Sequence, residues 1–253
     1  MRALVISIDN EQGRDRLQGL DVSVKWTVSP GVLPEDVPEH IRAHWNPGRF
    51  SRARNERLMG AFAAHLQAWE MLVGSDSPPC LILEDDARQL RPLPRLGKHL
   101  TLLGGVLAGY GGWDDFPRWV SSGDFALELF QFKDGVRRLP ERAGRRMKWY
   151  NAVAYYLPRG AAEKLVHEVY ATQARTLRSP DIWLNAHATH FAWPPPFASS
   201  EAKSQCLAPS GNAGGDLYCN RRMLHYLEKL RRGRAARCDV DMRGGDMRAV
   251  AVP

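Results

Sequence analysis

The chain has few cysteines and no long apolar runs. Cys80, Cys206, Cys219 and Cys238 are its four cysteines in 253 residues, and no two form a Cys-x-x-Cys pair. Such spacing speaks against a zinc site, and a reducing compartment suffices for these thiols. No apolar stretch approaches the roughly 20 residues that a membrane-crossing helix requires. Met1-Arg2 leads straight into the short strand-like run Ala3 to Ile8, without the longer apolar region and small-residue cleavage site of a secretory signal. The expectation is a cytoplasmic protein. Neither an internal repeat nor a convincing second domain stands out.

Hydrophobic residues make up 44% of the chain, enough to bury a full core in one large α/β domain or two small ones. Positive charge is in excess, +7 at pH 7, with runs at Arg137 to Lys148 and Arg221 to Arg248. An anionic partner suits that balance: a nucleotide diphosphate, nucleic acid, an acidic glycan or a membrane surface. Composition does not choose among them, and solvated faces with a basic tail would look the same.

The stretch that organises the chain is Cys80-Leu81-Ile82-Leu83-Glu84-Asp85-Asp86. Four apolar residues ending in three carboxylates read as a buried parallel strand that meets a polar crevice at its carboxyl end. Open α/β sheets bind ligands in that crevice. Clustered acids repel one another unless a base or a hard cation sits among them, and a divalent metal is the simplest such partner. The plain alternative is an acidic turn, or the cap of a following helix.

Around this centre, Ala3 to Ile8 is expected as a strand, Glu11 to Leu20 as a helix and the alternating Val22 to Val28 as a second strand. Ser29 to Arg54 is proline-rich and is expected to be loop with at most one short helix. Asn55 to Val73 predicts a strong helix closed by Gly74; its His65 is expected to be structural. Pro92 to Leu100 predicts a loop and a short helix, followed by a strand at Leu100 to Leu103. Gly104 to Gly123 combines aromatic rings with Asp114-Asp115, a mixture suited to sugars. Ala126 to Phe132 is a strand candidate, and the basic run after it an exposed loop. Trp149 to Leu157 predicts a strand, Ala161 to Tyr170 a helix, and Ser179-Pro180-Asp181 opens another through Asn185. Tyr218 to Arg232 reads as a basic helix and the tail from Gly233 as mobile.

The order of these pieces resembles glycosyltransferase family 25, which includes lipopolysaccharide glycosyltransferases and collagen galactosyltransferases. The likeness rests on Ile6 to Asn10 with Arg14 and Arg16, the helix Gly60-Ala61-Phe62-Ala63-Ala64-His65-Leu66-Gln67-Ala68-Trp69-Glu70, and Leu81 to Asp86. Leu103-Gly104-Gly105, the strand and helix of Asn151 to Leu165, and Asp181 extend it over residues 1–205. Ala61 and Ala64 stand where the family pattern carries Cys and Ser, so any role of that thiol and hydroxyl is absent here.

The resemblance implies a single-domain GT-A type, Rossmann-like fold with a mainly parallel sheet over residues 1–205; residues 206–253, which it does not cover, read as a basic helix and tail packed on or extending from that domain. It also implies a UDP-sugar donor, Mn²⁺ or Mg²⁺, and an inverting transfer to a hydroxyl of a glycan, lipid-linked saccharide or protein. Asp86 is then the metal ligand, and Glu84 meets the donor ribose or the metal's water shell. Asp85 is a further donor-side residue, and His187 or His190 completes the metal sphere. Asp181 is the first choice as general base, with Asp114 and Asp115 as alternatives. Ile8, Asp9 and Asn10 face the nucleotide, with Arg14, Arg16 or Arg57 near its phosphates. Two rival readings are a glycosyltransferase for hydroxymethylated bases in DNA and a non-catalytic anion or nucleic-acid binding protein.

Overall fold

The computed structural model describes residues 1–48, 50–75, 79–107, 109–110, 132–172, 176–199, 236–240 and 247–251. In chain order the elements begin with β1 (Arg2–Ser7), α1 (Glu11–Gln18), β2 (Lys25–Pro30), a 3-10 turn at Pro34–Asp36, α2 (Glu39–His44) and α3 (Arg52–Val73). Next come β3 (Cys80–Glu84), β4 (Ala87–Gln89), β5 (Thr101–Leu102), β6 (Val106–Leu107), β7 (Gly135–Arg138), β8 (Glu141–Arg142), β9 (Arg145–Arg146), β10 (Trp149–Tyr150) and β11 (Ala154–Leu157). The chain continues through α4 (Arg159–Ala171), α5 (Pro180–His187), β12 (His190–Trp193), β13 (Phe197–Ser199), β14 (Ala236–Val240) and β15 (Met247–Ala251).

Seven strands form the central sheet in the order β2-β1-β3-β11-β5-β12-β7. β2, β1, β3, β5 and β12 run in one direction and β11 and β7 in the other. The fold is therefore mixed α/β with a mainly parallel sheet, compatible with a Rossmann-like architecture. Because strand side chains alternate faces, the strands β1, β3, β11 and β12 feed two separate cores. Leu4, Ile6, Ile82, Tyr155 and Phe191 pack with Phe62, Trp69, Leu165 and Leu184 from α3, α4 and α5. Ala3, Val5, Leu81, Leu83 and Tyr156 face the other way, toward Leu17 of α1 and Leu20, Val22 and Val24 after it.

α3 is the principal support of the first face. Ser51 caps it by accepting from the Arg54 amide at 3.4 Å, and the Gly74 amide closes it on the Glu70 carbonyl at 2.7 Å. Phe62 is fully buried between Trp45, Trp69 and Trp183, each met edge-on at 5.8 to 6.2 Å between ring centres. Gly60 lets the helix press on the loop before it, since a Cβ there would lie 2.6 Å from the Val32 carbonyl oxygen.

Several expectations need correction. β2 is displaced to Lys25–Pro30, because Val22 and Val24 pack under α1 instead of pairing in the sheet. Residues 92–100 hold no helix. The basic run expected as a loop contributes β7, β8 and β9; β7 sits at the sheet edge, where charged side chains can reach water. Trp149 to Leu157 is split into β10 and β11 by Asn151, which adopts a positive φ of 74°, a conformation Asn tolerates. Part of the expected mobile tail pairs as the antiparallel β14 and β15. The strand expected at Ala126 to Phe132 lies almost wholly outside the described residues, and the Tyr218 to Arg232 helix entirely so.

Candidate active site

The strand order reverses between β1 and β3. The chain steps from β1 outward to β2, then crosses back past β1 to β3, so the crevice at the carboxyl ends of β1 and β3 is a topological switch point, where α/β sheets bind ligands. Glu84 lies level with Ile6 there, and Asp85 and Asp86 follow immediately.

Alternation of faces separates the three acids. Ile82 faces the α3 side, so Glu84, two residues on, does too. Its Oε1 lies 3.4 Å from Nε2 of His65, a residue 1% exposed on α3. On the opposite side Asp85 accepts from the Ser7 hydroxyl at 2.8 Å and from Arg16 of α1 at 3.0 Å. Arg16 and Asp85 side chains are each 11% exposed, so this ion pair is structural. Asp86 is 6% exposed, and its Oδ1 is buried without a hydrogen-bond partner.

A buried chain of hydrogen bonds fixes His65. The indole Nε1–H of Trp69 donates to the Tyr155 hydroxyl at 2.7 Å, and that hydroxyl lies 2.8 Å from His65 Nδ1. An indole can only donate, so the hydroxyl accepts from Trp69 and keeps its own proton free to donate to Nδ1. The ring proton of His65 is thereby assigned to Nε2, facing Glu84. Burial holds His65 neutral by lowering its pKa to about 3, against an opposing pull from Asp181.

The electrostatics are those of crowded carboxylates. Burial, then the charges of Asp85 and Asp181, raise Glu84 to about 7, with Arg16 opposing. The Glu84 side chain keeps 28% of its surface exposed, so solvent moderates that shift. Burial and Glu84 lift Asp86 to about 8, again against Arg16. Asp181, in the first turn of α5, is thus within electrostatic reach of both Glu84 and His65.

No family model matches this chain, and no curated protein matches it.

The structure therefore gathers Glu84, Asp85, Asp86, Asp181 and Arg16. Ile8, Asp9 and Asn10 follow β1 at the same end of the sheet, where the Asn10 side chain caps α1 through the Gly13 amide at 2.7 Å. A Cβ at Gly13 would fall 2.0 Å from the Ile8 carbonyl oxygen, so this turn demands glycine. Asp9 and Arg14 pair with each other at 2.8 Å on the surface. Arg57 is half-buried on α3, with its Nε buried and without a hydrogen-bond partner. Asp114 and Asp115 lie outside the described residues.

The histidines expected as metal ligands are placed elsewhere. His187 uses both ring nitrogens, one on the Trp183 carbonyl at 2.7 Å and the other on Glu168. His190 stacks on His99 with ring centres 4.2 Å apart. It stands level with Leu81 at the amino end of β12, three strands from β3, or roughly 14 Å at about 4.7 Å per strand. Among the described residues, no three His, Cys, Asp or Glu side chains converge as a complete metal cage. Mg²⁺ and Mn²⁺ sites for phosphorylated substrates do not need one, because one or two carboxylates share the ion with substrate phosphates and water. The partnerless Oδ1 of Asp86, beside Glu84, fits that incomplete kind of site.

Tyr155 and Ser7 complete the site without having been singled out for it, and His65, expected to be structural, joins it by bonding Tyr155 and facing Glu84. For Ser7 and Tyr155 the sequence offers position alone, at the end of the first strand and inside the Trp149 to Leu157 run, whereas His65 also lies in the helix that carries the resemblance.

Proposed function

We propose that this protein is a metal-dependent glycosyltransferase of the GT-A type that moves a sugar from a UDP-sugar to an acceptor hydroxyl with inversion. The observation that carries this reading is the surplus of carboxylates at the switch point, one of them with a buried oxygen that has no partner. Asp86, with Glu84, would hold Mn²⁺ or Mg²⁺, and the ion would neutralise charge developing on the diphosphate leaving group. Each residue then has a definite task. The turn Ile8 to Asn10 and the amino end of α1 receive the nucleotide, since helix amino termini favour phosphate. His65, locked by Tyr155 and Trp69, holds Glu84 in orientation. Asp181 accepts the proton of the acceptor hydroxyl as that oxygen attacks the anomeric carbon from the face opposite the departing diphosphate.

The test is UDP release from a panel of UDP-sugars with Mn²⁺, for the wild type, Asp86→Ala and Asp181→Asn. The expected result is turnover of at least one donor by the wild type. Asp86→Ala should lower it by at least about a hundredfold, and Asp181→Asn should lower transfer by about 10²–10⁴. Absence of turnover and of Mn²⁺-dependent UDP binding by the wild type would overturn the assignment.

A further inference from the structure

Beside α5 lies a second cavity, of about 350 Å³, lined by Tyr110, Glu141, Arg145, Arg146, Lys148 and Asn185 among others. Three cations face one carboxylate there. Arg146 is already engaged: it donates to the Ala188 carbonyl at 3.1 Å, and its Nε lies 3.9 Å from Glu141. Arg145 and Lys148 have no carboxylate partner among the described residues, so their charge is available to a ligand. The hairpin of β8 and β9 holds Arg145 in place, and the Lys148 amide is anchored to the Gly109 carbonyl at 2.8 Å. This is a basic pocket in which guanidinium and ammonium groups can bind an anion, with the half-buried Tyr110 in its wall.

The position of the pocket gives it a purpose. Asn185, in its wall, stands one helical turn beyond Asp181 and donates to the Asp181 carbonyl at 2.9 Å. Residues four apart share a helix face and lie about 6 Å apart along the axis. We propose that this pocket binds the anionic group of a saccharide acceptor, a phosphate or a carboxylate, and so places a neighbouring hydroxyl at Asp181. The acceptor role rests on the transferase reading above; the anion site itself does not.

The experiment is titration calorimetry of the full chain with glucose 6-phosphate, glucuronate, glucose, inorganic phosphate and, at low and high salt, a DNA duplex. It would be repeated on Arg145→Gln/Lys148→Gln and on Arg145→Lys, with melting curves as the check of folding. Glucose 6-phosphate or glucuronate should bind at least tenfold more tightly than glucose, the phosphate and carboxylate arms telling which anion is preferred. The double variant should lose at least tenfold, and Arg145→Lys should retain most of the affinity. Equal binding of glucose and both charged sugars, or a folded double variant that binds like the wild type, would overturn the proposal even if UDP-sugar turnover is observed. Inorganic phosphate binding as tightly as glucose 6-phosphate would overturn the saccharide. So would salt-sensitive binding of a DNA duplex without saccharide binding. Saccharide binding without UDP-sugar turnover would instead remove the transferase reading and, with it, the acceptor role.

Discussion

Tyr155 supports the acidic crevice from behind, through His65. Its hydroxyl serves Trp69 on one side and His65 on the other, all three side chains being buried. Tyr155→Phe keeps the ring but strands an indole N–H and an imidazole nitrogen, at a cost of about 1–3 kcal/mol each when such groups cannot reach water. Urea denaturation should show a lower midpoint with an unchanged slope; an unchanged midpoint would mean that the two groups find other partners. The Cys80 thiol is different in kind: it is buried in the core, and that burial raises it to about 11, which keeps it protonated at neutral pH.

Two glycines in helices give opposite predictions at the scale of the element. Alanine favours a helix over glycine by about 1 kcal/mol. At Gly60 the new Cβ would press on a backbone oxygen 2.6 Å away, and overpacking of that kind costs about 1–3 kcal/mol. Gly60→Ala should therefore destabilise, whereas Gly160→Ala, whose Cβ would meet nothing within 4 Å in α4, should stabilise by up to about 1 kcal/mol. Thermal melting of the two variants decides it, and the same sign for both would refute the close contact. α3 was legible to within three residues because its apolar positions recur with helical period. β7 was not, because Arg137 and Arg138 are tolerated only by an edge strand, and edge position is settled by the partner strand β12.

For the whole molecule, the crowded acids make stability depend on pH. The folded protein raises Glu84 to about 7 and Asp86 to about 8, above their ordinary values of 4.5 and 3.8. Over the interval between, it binds more protons than the unfolded chain, so the stability these groups contribute is lost as pH rises through 7 and 8. His65 acts oppositely: lowered to about 3, it weakens the fold as pH falls below 6.5. Calorimetric melting of the metal-free protein should show a melting temperature that falls between pH 6.5 and 8.5. Saturating Mn²⁺ with UDP should raise it most at the alkaline end, where both carboxylates are free to bind. A flat profile would count against the acids being buried together. No helix among the described residues is long and apolar enough to cross a membrane, in keeping with the apolar runs of the sequence.

From the sequence alone, the apolar run of β3, its abrupt acidic end and the periodic helix before it were determined, because local composition and period decide them. Which acid does what was decided only by the tertiary structure. The pleat sends Glu84 toward α3 and Asp85 toward α1, and each meets a partner distant in the chain: His65 for one, Ser7 and Arg16 for the other. Asp86 is left between them without such a partner for one of its oxygens. Three adjacent carboxylates look alike in a linear chain; strand alternation and long-range packing make them an acid beside a buried histidine, a structural ion pair and a carboxylate with one unpartnered buried oxygen.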